Sequence, residues 1–145
     1  DLSTEILDRA KEGVYSQFEA QRGLPINLLV KYFTQTGDRW QINQKIRSMV
    51  QYREFNLLND PRPLGRFDVV FIRNVLIYFD QPTKGKILNG ISGLMPDDGF
   101  LFLGGAETVL GITDRFQLLA GQRGVYGLTG GGAAAAKPAT ALRAH

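Results

Sequence analysis

An α/β fold with a parallel core is the architecture this sequence predicts, and three stretches predict it. Two short apolar runs, Phe67–Ile72 and Phe100–Leu103, are rich in aromatic and branched side chains. Runs of this kind read as strands buried on both faces, as in a parallel sheet. Between them Ile87, Leu88, Ile91, Leu94 and Met95 recur at helical spacing, which predicts a helix packed on that sheet.

The chain of 145 residues is 43% hydrophobic and 10% aromatic, enough to build a core. Seventeen Lys and Arg against 14 Asp and Glu leave a formal charge of +3 with no basic run, so the pattern lacks a nucleic-acid footprint. Cysteine is absent, which excludes disulfides, thiolate chemistry and cysteine metal sites, and the single histidine, His145, lies in the terminal tail. No apolar stretch is long enough to span a membrane and no signal-peptide pattern opens the chain, so cytoplasmic residence is expected.

Taken in order, Ser3-Thr4-Glu5 reads as a helix start, with a capping hydroxyl and an acid at the positive end. Leu2, Ile6, Ala10 and Val14 follow at helical spacing and Gly13 suits the helix end. Asp1 then stands just before a helix, where an acid in a nucleotide-binding fold can bond ribose hydroxyls; the alternative is an exposed terminus. Leu24-Pro25 opens a short helix expected over Ile26–Phe33, with Leu28, Leu29, Tyr32 and Phe33 on its apolar face. Thr36-Gly37-Asp38 marks a turn, and Trp40 and Ile42 begin a short strand. Val50 to Phe55 alternates apolar and polar residues, which predicts a strand and places Asn56 just past its end. An Asx-turn is the alternative reading of Asn56.

Arg73-Asn74 follows the first buried run directly. In open α/β sheets ligands are met just beyond the carboxyl ends of the strands, so these two residues stand where a ligand would be met. The alternative is that they only end the strand and form a turn. Asp80 is a helix cap with Pro82 in the first turn, and Pro96-Asp97-Asp98-Gly99 is a turn into the second run. Val125–Leu128 is strand-like, and the last two strands are expected to form an antiparallel hairpin. From Gly130 to His145 the composition turns to glycine and alanine, and this tail is expected to be disordered.

The stretch Phe71-Ile72-Arg73-Asn74-Val75-Leu76-Ile77-Tyr78-Phe79-Asp80 resembles, almost residue for residue, the FCRNVLIYFD signature of the chemotaxis receptor glutamate methyltransferases, the CheR family. Asp1, Leu7, Ala10, Gly13 and Tyr15 match a further pattern of that family, as does Asn56-Leu57-Leu58. Gly104 and Glu107 match its Gly-His-Ser-Glu, where this chain has Gly105-Ala106 between them. The resemblance implies a partial class I, Rossmann-like methyltransferase sheet with flanking helices, spanning residues 1–129. It implies S-adenosylmethionine as cofactor and S-adenosylhomocysteine as product. Asp1, Asn56, Leu57, Asn74 and Val75 would bind the cofactor, and Tyr78 would face the methyl-transfer site. Arg73 would orient the substrate carboxylate or be structural. The implied substrate is a glutamate side chain on a methyl-accepting chemoreceptor, converted to its methyl ester.

A methyltransferase of this class needs a first strand with a Gly-rich turn, and neither that turn nor the family's N-terminal helical domain precedes Asp1. The chain is therefore expected to be the C-terminal part of the catalytic unit, inactive alone and completed by an upstream segment or a second chain. The alternative is a non-catalytic cofactor-sensing or docking module with a degenerate methyltransferase fold.

Overall fold

The computed structural model describes residues 1–132, which fall into two compact units that meet in sequence at Asn56 and Leu57.

In the first unit, α1 covers Thr4–Glu12. The Ser3 hydroxyl accepts from the Ile6 N–H at 3.2 Å, and Gly13 ends the helix with φ +63°, a conformation that favours glycine. The predicted stripe does not face inward: Leu2 and Ile6 are exposed and Leu7 is the buried residue. Val14 leaves the helix altogether and opens β1 (Val14–Ser16), because Gly13 has already turned the chain.

The expected turn at Thr36-Gly37-Asp38 and the strand around Trp40 belong to a small antiparallel sheet whose other two strands the sequence does not announce. After β1 come α2 (Gln17–Gln21), α3 (Ile26–Tyr32), β2 (Phe33–Thr36), β3 (Arg39–Ile42) and α4 (Gln44–Arg47). The strand order is β1-β3-β2, with Tyr15 opposite Trp40 and Thr36 opposite Arg39 across the Gly37-Asp38 turn. Ser16 and Glu19 cap α2 reciprocally. The helix predicted to reach Phe33 stops at Tyr32, since Phe33 pairs with Ile42 in the sheet. Ala20, Leu29 and Trp40 form the core of this unit, with Tyr15, Leu24 and Phe33 against them.

Val50–Phe55 is not a strand. Alternation alone did not supply a neighbouring ladder: the Phe55 N–H donates to the Asp1 carbonyl at 3.0 Å, and Val50 remains exposed. Asn56 consequently follows irregular chain rather than a strand end.

The second unit holds β4 (Val69–Ile72), α5 (Gln81–Ser92), β5 (Phe100–Leu103), β6 (Phe116–Leu118) and β7 (Val125–Leu128). The sheet order is β4-β5-β7-β6; β4 and β5 are parallel, and β7 runs antiparallel to both β5 and β6. This is the parallel pair and closing hairpin that the sequence predicts. Asp80 caps α5 through the Thr83 N–H at 2.9 Å. The predicted stripe is the buried one: Ile87, Leu88, Ile91, Leu94 and Met95 are all at or below 6% exposure. They pack on Ile72, Leu101, Leu103 and Tyr126 from the sheet, apart from Leu94.

The expectation that β4 is buried on both faces is corrected here. Ile72 is buried, but Val69 and Phe71 are 45% and 68% exposed. Helix α5 covers the Ile72 face, whereas on the other face Phe71 stacks on Phe102 at 4.7 Å between ring centroids and β4 is an edge strand.

The Gly/Ala-rich tail falls outside the described residues from Ala133 onward. Its first residues do meet the fold: the Gly131 N–H donates to the Leu128 carbonyl at 3.0 Å, and a Cβ added at Gly131 would meet the Asp97 carbonyl oxygen.

Candidate functional site

Beyond the carboxyl end of β4 the chain turns sharply. Asn74 has φ +59°, the left-handed region that asparagine tolerates better than most residues. A short 3-10 turn, Leu76–Tyr78, follows. The side chain of Leu76 is buried in the core of the second unit, which anchors the loop from below.

The N–H groups of Asn74, Val75 and Leu76 converge on one carboxylate. Glu107, in the loop after β5, accepts from Asn74 at 2.8 Å, Val75 at 2.9 Å and Leu76 at 2.7 Å, and from the N–H of Gly104 at 2.7 Å. A carboxylate has about four lone-pair positions, so these donors saturate it. Burial, with 9% of Glu107 exposed, is the largest single influence on its pKa and acts to raise it. The four N–H donors together outweigh burial and hold the pKa below the ordinary glutamate value. Gly104 is required by this seat: an added Cβ would stand 2.6 Å from Glu107 Oε2 and 3.0 Å from the Asn74 nitrogen.

Arg73 lies beside this clamp and lines an open cavity of about 530 Å³, together with Phe71, Phe102, Glu107, Arg123 and Tyr126. Its cationic walls are thus Arg73 and Arg123, on the ends of β4 and of the turn into β7.

Of the residues singled out in the sequence, the structure gathers Arg73, Asn74 and Val75 in one strand-end loop. Tyr78 ends the 3-10 turn and is 81% exposed. Val75 and Leu57 both pack against the core of the second unit, and Leu57 also lines a smaller groove with Pro61 and Lys86. In the first unit, Asp1 and Asn56 are brought close by the Phe55-to-Asp1 backbone bond. One oxygen of the Asp1 carboxylate accepts from the Ser3 N–H at 2.9 Å. Sequence reasoning assigned no role to Glu107 or Arg123. The signal for Glu107 is an acid in the loop just past a strand and a glycine pair; nothing local marks Arg123.

An α/β sheet whose parallel strands end in polar loops places the chain in the class of α/β domains that meet ligands beyond the carboxyl ends of their strands. Within that class the chain belongs to the family of the CheR methyltransferase SAM-binding domain, which its residues 1–125 match. It is 42% identical over 120 residues to chemotaxis protein methyltransferase Cher2 of Pseudomonas putida, covering 82% of this chain and 44% of that protein. Chemotaxis protein methyltransferase 1 of Pseudomonas aeruginosa is also 42% identical over 120 residues, with the same coverage. A chemotaxis protein methyltransferase of Borreliella burgdorferi is 34% identical over 113 residues, 77% of this chain and 40% of that protein. The chain thus spans less than half the length of these relatives. S-adenosylmethionine is the cofactor that the family binds, and an amide such as that of Asn74, with donors and an acceptor, suits a ligand carrying an amino group and a carboxylate. No helix among the described residues is long and apolar enough to cross a membrane.

Proposed function

We propose that the protein containing this chain transfers a methyl group to glutamate side chains of a methyl-accepting chemoreceptor in the cytoplasm, forming glutamate methyl esters and S-adenosylhomocysteine. The observation that carries this reading is the placement of Arg73, Asn74 and Val75 past the carboxyl end of a parallel strand, in a chain of the CheR family.

S-adenosylmethionine supplies, when bound, an electrophilic methyl group on a positively charged sulfur. The receiving carboxylate has an ordinary pKa of about 4.3 and is ionised at neutral pH, so the chain needs no general base. Its task is to bind and orient, an effect that can contribute about 7–11 kcal/mol to lowering a barrier. The Asn74 amide, together with Val75, is assigned to the cofactor. On the family's motifs, Asn56, Leu57 and Asp1 are assigned to it as well, Asp1 through ribose hydroxyls. Tyr78 is assigned to the neighbourhood of the transferred methyl. Arg73, one of two cations on the 530 Å³ cavity, is assigned to the incoming carboxylate.

Substitution of Asn74 tests the reading in the full chain, including any segment that precedes Asp1 in the natural protein. Glycine is the substitution to use, because alanine would be strained at φ +59°. Asn74→Gly should weaken S-adenosylmethionine binding by about ten- to a hundredfold, the loss expected for hydrogen bonds to charged groups. Unchanged affinity in calorimetry, with methyl transfer to a receptor intact, would refute the assignment. A second reading, a cofactor sensor without transferase activity, is favoured by Gly105-Ala106 in place of the family's His-Ser. It predicts cofactor binding with no radiolabelled methyl group appearing on the receptor.

A further inference from the structure

We infer that Glu107 is a positioning residue for cofactor binding: through the N–H groups of Asn74, Val75, Leu76 and Gly104 it fixes the strand-end loop that presents the Asn74 amide. The inference rests on the reading of Asn74 as a cofactor contact and adds the residue through which that contact is made.

Successive backbone N–H groups in a turn form a concavity that binds anions. In many sites of this kind the anion is the ligand. Here the chain supplies its own, since the Glu107 carboxylate already sits on Asn74, Val75 and Leu76. Two consequences follow. The concavity is occupied, so a ligand at this strand end is met by side chains such as Asn74 and Arg73 rather than by these N–H groups. Glu107 also lines the 530 Å³ cavity, but it has no acceptor site left once Gly104 donates as well, so it acts through the loop rather than by a hydrogen bond to the ligand.

The geometry also explains why a glutamate is needed. One oxygen, Oε1, holds Val75 and Leu76, while the other, Oε2, holds Asn74 and Gly104. The carboxylate therefore ties the loop after β4 to the end of β5. An amide in the same place offers one acceptor oxygen and turns two hydrogens toward N–H donors. The left-handed backbone at Asn74 would lose its external restraint, and the side chain would no longer be held in one place.

The test is a double-mutant cycle in the full chain, read as the dissociation constant for S-adenosylhomocysteine by calorimetry. Glu107→Gln is expected to weaken binding about tenfold or more, as loss of a charged hydrogen-bond partner does. In the Asn74→Gly background the same change should weaken it by a distinctly smaller factor, because the group it positions is gone. Additive effects, or full affinity in Glu107→Gln, would overturn the inference. Asn74→Gly alone reports on the underlying reading: if it binds normally, the assignment of Asn74 fails; if it binds weakly and Glu107→Gln does not, only the role of Glu107 fails. Should Glu107→Gln not fold, amide NMR on the wild-type protein takes its place. The Asn74, Val75, Leu76 and Gly104 resonances should shift on adding S-adenosylhomocysteine, and unmoved resonances at all four would overturn the proposal.

Discussion

Replacing Gly104 by alanine probes the Glu107 clamp with a single methyl group. The new Cβ would lie 2.6 Å from Glu107 Oε2, 3.0 Å from the Asn74 nitrogen and 3.3 Å from the Asn74 amide carbon. The first distance is far inside van der Waals contact and two of the three neighbours are held by the clamp, so the carboxylate must withdraw. Withdrawal of Oε2 breaks the bonds from Asn74 at 2.8 Å and Gly104 at 2.7 Å, while those to Oε1 can persist. Hydrogen bonds to a charged group contribute about 1.5–3 kcal/mol each, and partial relaxation recovers some of this, so a loss of about 2–4 kcal/mol is expected. For a chain of this length that corresponds to a fall in melting temperature of about 8–16 °C. Gly105 is the control: nothing lies within 4 Å of its added Cβ, so Gly105→Ala should melt within about 2 °C of the parent. Thermal unfolding followed by circular dichroism measures both. A Gly104→Ala variant as stable as Gly105→Ala would refute the four-donor seat of Glu107.

Two further predictions concern ionised groups. The Glu107 pKa is depressed in the folded state, so its contribution to stability is complete above the unfolded value of about 4.3 and is lost as pH falls through the lower folded value. Glu19, Asp60 and Asp80 are depressed as well, and their acid losses are common to wild type and a Glu107→Gln variant. Urea unfolding from pH 6 to pH 3 should therefore show the stability gap between the two narrowing below about pH 4.3; a constant gap would contradict the depressed pKa. Asp80→Ala should remove the cap of α5 and destabilise by about 1 kcal/mol, with Asp80→Asn keeping most of the stability. Equal losses in the two variants would point to charge rather than capping.

Local chemistry made much of the second unit legible. Asp80 with Pro82 starts a helix whatever surrounds it, and the spacing from Ile87 to Met95 names the face that packs on a sheet. The apolar runs at Phe67–Ile72 and Phe100–Leu103 announced strands, and the match of Phe71–Asp80 to a known signature carried the family. The errors arose where a neighbour decides. Val50–Phe55 has the alternation of a strand but no ladder to join, and Phe33 fits the spacing of the preceding helix yet pairs with Ile42, nine residues away. In the small sheet of the first unit the strand around Trp40 is legible, but Val14–Ser16 is too short to signal itself and exists by pairing with Arg39–Gln41.

The candidate site divides along the same line. The sequence alone determined that Arg73 and Asn74 follow a strand, and that Asn74 suits either a ligand or a turn, because both properties belong to the residue and its immediate neighbours. Only the tertiary structure decided that Asn74 takes the left-handed conformation and that Glu107, more than thirty residues later, is what holds it. A carboxylate reaching four N–H groups requires two strand ends side by side, and that pairing brings together Ile72 and Leu103, residues distant in sequence, over a core shared with α5.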